Sequence, residues 1–275
     1  MGLVINTNMA AMTTSRLLTR STEDQSKSYQ RIASGERIVS AGDDAAGLSM
    51  SEHLRSQIRS LTQAGRNTSQ AIAFSQVAEG ALTEISNSMI RLRELGIQSA
   101  SDTVGETERA AMHEESTGII AEVNRIANST SFNGVNLLNG TSSSLAFQVG
   151  IKNTENDHID FNVKDSDVRA GTLGIEGIDL SNMGGARDSL ETLDQAFNKL
   201  LRVRASLGAL QNRLQSTSRT TQDIAEGYAA ARSNIADTDL AMETSNMVRA
   251  NILQQAGIAV LGQANSAPAQ ALKLL

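Results

Sequence analysis

Two short stretches carry residue types that do chemistry elsewhere. "HEEST" (His113–Thr117) opens like a zinc-protease helix, in which two histidines four residues apart ligate the metal and the glutamate activates water. Thr117 stands where the second histidine is required. The other histidines, His53 and His158, lie far away in the chain. "DTDLAME" groups Asp237, Asp239 and Glu243 in the manner of a calcium loop, but it lacks the turn-forming glycine and the full ligand spacing. It reads as a solvated helix face. There is no glycine-rich phosphate loop and no nucleophile elbow, and with no cysteine there is no thiol catalysis, disulfide or Cys-based zinc site. The expectation is no enzyme, no catalytic or metal residue and no cofactor.

Composition narrows the class further. Of 275 residues only 3% are aromatic, so the core must be built from Leu, Ile, Val, Met and Ala, which suits helix on helix. A single proline, Pro268, leaves long helices uninterrupted before that point. A net charge of −6 without a basic run argues against nucleic acid. The start "MGLVINTNMAAM" lacks the basic residue of a secretory signal, and Asn6 does not fit a myristoylation site at Gly2. Ala250–Leu272 is uncharged and long enough to span a membrane, yet Asn251, Gln254, Gln255, Gln263 and Asn265 would be costly in lipid. No membrane span is expected. Asn-x-Ser/Thr triplets at Asn67, Asn128 and Asn139 are common by chance, and Ser142–Ser144 reads as a flexible turn in preference to a glycosylation site.

The elements follow from spacing. Ala78, Leu82, Ile85, Met89, Leu92 and Gly96 recur at 4,3 steps, with Glu84, Arg91, Arg93 and Glu94 off that line. This predicts an amphipathic helix with a coiled-coil-like seam from near Ala45 to about Ala100. Ser101–Glu108 reads as a turn, with Thr103 or Thr107 capping a further helix to about Asn128. A second seam runs from Val203 through Leu207, Leu210, Leu214, Thr217, Thr221, Ile224, Tyr228 and Ala231 to Ile235. Upstream Leu190, Leu193, Phe197 and Leu200 join it with one irregular step. Between the helices, residues 132–182 change texture. Two Asn-Gly turns in "FNGVNLLNG" precede alternating Leu145, Phe147, Val149 and Ile159, Phe161, Val163, a strand pair. The fold class is mainly α: long antiparallel helices in a coiled-coil-like rod, a small β-hairpin region and a terminal helical pair.

Neither end carries enough bulky residues for its own core. The first offers Ile5, Met9 and Met12; the last offers Met247, Val248, Ile252, Leu253, Ile258, Val260 and Leu261. Two such stripes cover each other or the stripes of neighbouring molecules; spacing leaves open whose helix the tail meets, and it is the resemblance that follows that makes these residues the expected self-assembly set.

Several motifs in order then resemble bacterial flagellin: "VINTN" (Val4–Asn8), "RIASGERIVSAGDDAAGLSMSE" (Arg31–Glu52), "LTQAGRN" (Leu61–Asn67), "EGALTEI" (Glu79–Ile85), "LRELGIQSA" (Leu92–Ala100), "FNGVNLL" (Phe132–Leu138), "GALQNRL" (Gly208–Leu214) and "ETSNMVRANILQQAGIAVLGQAN" (Glu243–Asn265). The resemblance implies a subunit that self-polymerises into the flagellar filament, with a hook–filament junction or other minor component as the alternative. It implies a terminal inner domain, residues 1–42 and 238–275, disordered until assembly, and a rod domain, 43–237, without a large variable insert. Asp43 or Asp44 would cap the long helix. Implied partners are further copies, the flagellar export apparatus, an export chaperone, and cap and hook-junction proteins. Implied location is the extracellular filament, reached without a cleaved signal, with a sheathed or periplasmic filament as the alternative. Flagellins with a similar "RVREL" stretch are bound by a vertebrate Toll-like receptor; the matching positions are Arg91, Leu95 and Glu115.

Overall fold

The computed structural model describes the backbone of residues 7–272 and the side chains of residues 7–266. Its elements are α1 (Met9–Ser34), α2 (Ala45–Ser99), α3 (Glu106–Ser129), β1 (Ser131–Phe132), β2 (Val135–Asn136), β3 (Leu145–Gln148), β4 (His158–Phe161), α4 (Ala170–Leu173), α5 (Met183–Ala236) and α6 (Leu240–Leu272). They divide into two compact units, residues 59–225 and residues 1–58 with 226–275.

The unit of residues 59–225 holds the main core. Leu61, Ala64, Thr68, Ala71, Ser75, Ala78, Leu82, Ile85, Met89, Leu92, Gly96 and Ser99 form one unbroken 3,4 line of buried residues on α2. Its counterpart on α5 is Ala186, Ser189, Leu193, Ala196, Leu200, Val203, Leu207, Leu210 and Leu214, with Thr221 buried further on. The irregular step expected where Leu200 joins Val203 is absent, because the buried position is Ala196 rather than Phe197, which flanks it half-buried. A small residue keeps the heptad in phase where bulk alone had suggested a break. Past Thr221 the seam loosens, and Ile224 is exposed.

The helices run antiparallel. Arg93 Nε donates to Asp194 Oδ1 at 2.9 Å, and Arg204 Nη2 to Glu79 Oε1 at 2.6 Å. α3 folds back along α2, where Arg91 meets Glu115 at 2.8 Å and Arg109 Nε donates to the Ser99 carbonyl at 2.9 Å. The cap expected from Thr103 or Thr107 is instead Gly105, whose extended backbone leads into α3 without a side-chain bond. Thr103 is occupied by the Ser101 hydroxyl at 2.8 Å.

The β region consists of two small antiparallel sheets. β1 and β2 pair around Asn133-Gly134, both at positive φ (51° and 80°), the geometry that makes Asn-Gly the preferred two-residue hairpin turn. β3 and β4 pair in the register Leu145↔Phe161 and Phe147↔Ile159. Val163 lies outside the expected strand. It is buried in a 3-10 turn at residues 163–166, which Asn162 opens by accepting from the Lys164 N–H. Phe74 on α2 receives Phe132, Phe147 and Phe161 edge-on at 5.4–6.2 Å, so four of the five phenylalanines seal the β region onto the helix.

Candidate self-assembly surface

The unit of residues 1–58 and 226–275 is organised from its root. Gly35 closes α1 in the left-handed region at φ 72°, which frees the chain to turn. Glu36 then bridges Asp237; Arg37 N–H donates to the Ala236 carbonyl at 2.6 Å and Thr238 N–H to the Gly35 carbonyl at 3.0 Å. Arg232 holds Glu36 at 2.6 Å. Asp44 is the cap of α2, accepting from the Gly47 N–H at 2.9 Å. Asp43 instead accepts from the Ser40 N–H and hydroxyl, each at 3.0 Å, which with Arg31 nearby lowers its pKa from the ordinary carboxylate value. Asp239 caps α6, taking the N–H groups of Ala241 and Met242.

Glu243, expected on a solvated face, is buried. Ser28 Oγ donates to it at 2.6 Å and Arg31 stands 3.8 Å away. The spacing of "DTDLAME" is therefore that of a bridge, a cap and a buried polar pair. Among the described residues no group of three His, Cys, Asp or Glu side chains is arranged to hold a metal.

From this root α1 and α6 run antiparallel. Ser21 Oγ donates to the Ala250 carbonyl at 2.8 Å and Asn8 Nδ2 to the Ala264 carbonyl at 2.8 Å, which fixes their register. The residues facing inward keep the 3,4 spacing: Ala11, Thr14, Leu18, Ser21, Gln25, Ser28 and Ile32 on α1, and Glu243, Met247, Ala250, Gln254, Gly257, Leu261 and Ala264 on α6. This seam is mostly small or polar. Gly257 faces Leu18, and a β-carbon there would make an ordinary contact with it at 3.4 Å.

Many of the bulky side chains face the other way. Met9, Met12, Val248, Ile252, Leu253, Ile258 and Val260 are 47–60% exposed. Of the exposed large apolar side chains among the described residues, all but Val77, Ile90, Ile97, Leu201 and Ile224 belong to this unit. Ordinary soluble helix pairs bury their bulk and expose their polar residues. Here much of the bulk lies on the exposed side instead, while Leu18, Ile32, Met247 and Leu261 stay half-buried in the seam. Beside it a groove of about 570 Å³ runs between α1 and α6, with Leu17, Leu18, Leu253 and Val260 on its apolar walls.

Of the expected self-assembly set, Ile5 lies outside the described residues. Met247 and Leu261 sit half-buried in the seam between α1 and α6, and the others are exposed. Leu17, Tyr29, Val39, Met50, Leu240 and Met242, outside the expected set, are also exposed in the same unit. Phasing the heptads on small residues would have found the helical ones. The three residues matched to receptor binding separate. Arg91 and Glu115 form an exposed pair, whereas Leu95 is 2% exposed in the core and has no surface to offer a partner.

Long helices in heptad contact, with a paired-termini unit that bares much of its bulk, define a helical structural subunit of an assembly. Comparison with known proteins gives the family. The model for the bacterial flagellin N-terminal helical region matches residues 5–143, and that for the C-terminal helical region matches residues 190–275. A flagellin of Halalkalibacterium halodurans is 37% identical over 99% of this chain and all of its own length. The flagellar filament 31.3 kDa core protein of Treponema maltophilum is also 37% identical, with the same coverage. The crystal structure of Bacillus cereus flagellin superposes with a TM-score of 0.51 at 27% identity, covering 57% of this chain and 88% of that one. A putative flagellar hook-associated protein from Vibrio parahaemolyticus shares the fold, with a TM-score of 0.58 at 14% identity. The chain belongs to the bacterial flagellin family, whose members are structural proteins of the flagellar filament, and its role is that of a filament subunit in motility.

Proposed function

We propose that the filament is held together through the bare apolar surface of the terminal unit, whose large side chains become buried between neighbouring copies. The α1–α6 pair, with much of its bulk on the exposed side, is the observation that carries this. Apart from half-buried Leu18, Ile32, Met247 and Leu261, the seam is made of Ser, Thr, Gln, Glu, Ala and Gly, so closing it alone buries a limited apolar area. Covering Ile252, Leu253, Ile258 and Val260 on a neighbour supplies what the seam lacks. It follows that residues 1–42 and 238–275 order fully only on assembly, where apolar burial between copies offsets the entropy of ordering. A conditionally ordered pair of ends also suits passage through a flagellar export channel without a cleaved signal, with a chaperone guarding the apolar surface and cap and junction proteins meeting it at the filament ends.

Removing residues 241–275 tests this. The expected product is soluble and helical but forms no filaments by electron microscopy; filaments from the shortened chain would overturn the proposal.

The exposed Arg91–Glu115 pair supports a second, separate reading, a contact with a vertebrate Toll-like receptor made without the buried Leu95. Its charges already satisfy each other, so binding must compete with that pairing. Reporter cells that respond equally to the chain and to Arg91→Ala would sink it.

A further inference from the structure

The chain has no cysteine, so its sulfur chemistry rests on nine methionines. The fold sorts the described ones, Met247 lying half-buried in the seam between α1 and α6. In the unit of residues 59–225, Met89 and Met112 are buried at 1% and 8% exposure and Met183 is partly covered. In the terminal unit Met9, Met12, Met50 and Met242 are 55–66% exposed, among the barest large apolar side chains described. Met9 and Met12 open α1, Met242 lies in the first turn of α6 and Met50 near the start of α2.

We propose that Met9, Met12, Met50 and Met242 are oxidation sites through which hydroperoxides switch off polymerisation of the free subunit. The proposal rests on the assembly reading above. The thioether sulfur attacks one peroxide oxygen; the O–O bond breaks, a sulfur–oxygen bond forms, and water or an alcohol leaves. Sulfur loses two electrons and the peroxide gains them. The product sulfoxide is polar and chiral, so a side chain meant for an apolar contact carries a strong hydrogen-bond acceptor into it. Oxidation changes little in the isolated chain, where these groups already face water. It acts at assembly, when they must be desolvated, and it is reversible by methionine sulfoxide reductases. Subunits already in a filament are shielded by their neighbours.

The test uses the full chain and hydrogen peroxide. Mass mapping of the free chain should show Met9, Met12, Met50 and Met242 gaining oxygen roughly tenfold faster than Met89 and Met112, following exposure. The oxidised chain should keep its helical circular dichroism, fail to extend filament seeds, and recover after treatment with reductase. The same sites in preformed filaments should oxidise slowly. A variant with M9L, M12L, M50L and M242L should polymerise both with and without peroxide. Unchanged polymerisation of a chain shown to be oxidised at these sites overturns the proposal alone. So does continued loss of polymerisation in the peroxide-treated leucine variant, or failure of the reductase to restore assembly. A chain that never polymerises before peroxide is added removes the assembly reading, and this proposal with it.

Discussion

Replacing Ile252 and Ile258 by glutamine asks directly whether the bared surface of α6 drives assembly. The two side chains are 60% and 57% exposed in the single chain, so more than half of each is still in contact with water. Fully burying an isoleucine is worth about 1.5–3 kcal/mol. The uncovered share is then roughly 1–1.8 kcal/mol per side chain, or about 2–3.5 kcal/mol for the pair when a neighbouring copy covers them. At 1.4 kcal/mol per decade, the concentration needed for filament growth should rise about 30- to 300-fold. Glutamine is a good helix former, so α6 should retain its propensity. Sedimentation of seeded filaments over a range of subunit concentrations measures the growth threshold, and urea unfolding of the free chain measures its own stability. The reasoning fails if the threshold moves less than threefold. It fails equally if the free chain loses stability by the same amount, because the isoleucines would then be covered within the subunit.

Other consequences follow from particular contacts. Ser28→Ala removes the hydroxyl that donates to buried Glu243 and should cost the terminal unit about 1–3 kcal/mol, seen as faster amide exchange in α1 and α6 with no change in the core around Leu82. Exchange rates matching those of the parent chain would show that Arg31 alone satisfies the carboxylate. Acid should destabilise the fold in a defined direction. Asp43 is held below its ordinary pKa by Ser40, Asp157 by Thr154 and Asp179 by Ser181. Groups depressed in the folded state stabilise it fully above the unfolded value, and that contribution is lost as pH drops below about 4 through the folded values. Urea midpoints should therefore fall in that window and fall less steeply in a variant with all three changed to asparagine; identical slopes would rule the three carboxylates out as the cause.

Much of this was written in the local pattern. The 4,3 spacing gave α2 to within a residue of its observed end, Asn133-Gly134 gave the turn of the first hairpin though not its strands, and alternation gave the pairing of β3 with β4. These features rest on contacts within one element or between neighbours, so periodicity alone determines them. What the pattern left undecided was phase where residues are small. Ala196 rather than Phe197 holds the α5 seam, and Ser21, Ser28 and Ala250 hold α1 to α6 alongside half-buried Leu18, Ile32, Met247 and Leu261. Hydrophobicity ranks such residues too low to reveal which face is inward. That choice is made by how closely two backbones approach and by hydrogen bonds between partners more than two hundred residues apart, such as Ser21 with Ala250. The sequence thus determined that the ends are helical and rich in bulk. Only the tertiary structure decided that much of the bulk faces out, because the register that satisfies the seam's buried hydroxyls, amides and carboxylate leaves many of the large side chains on the opposite side.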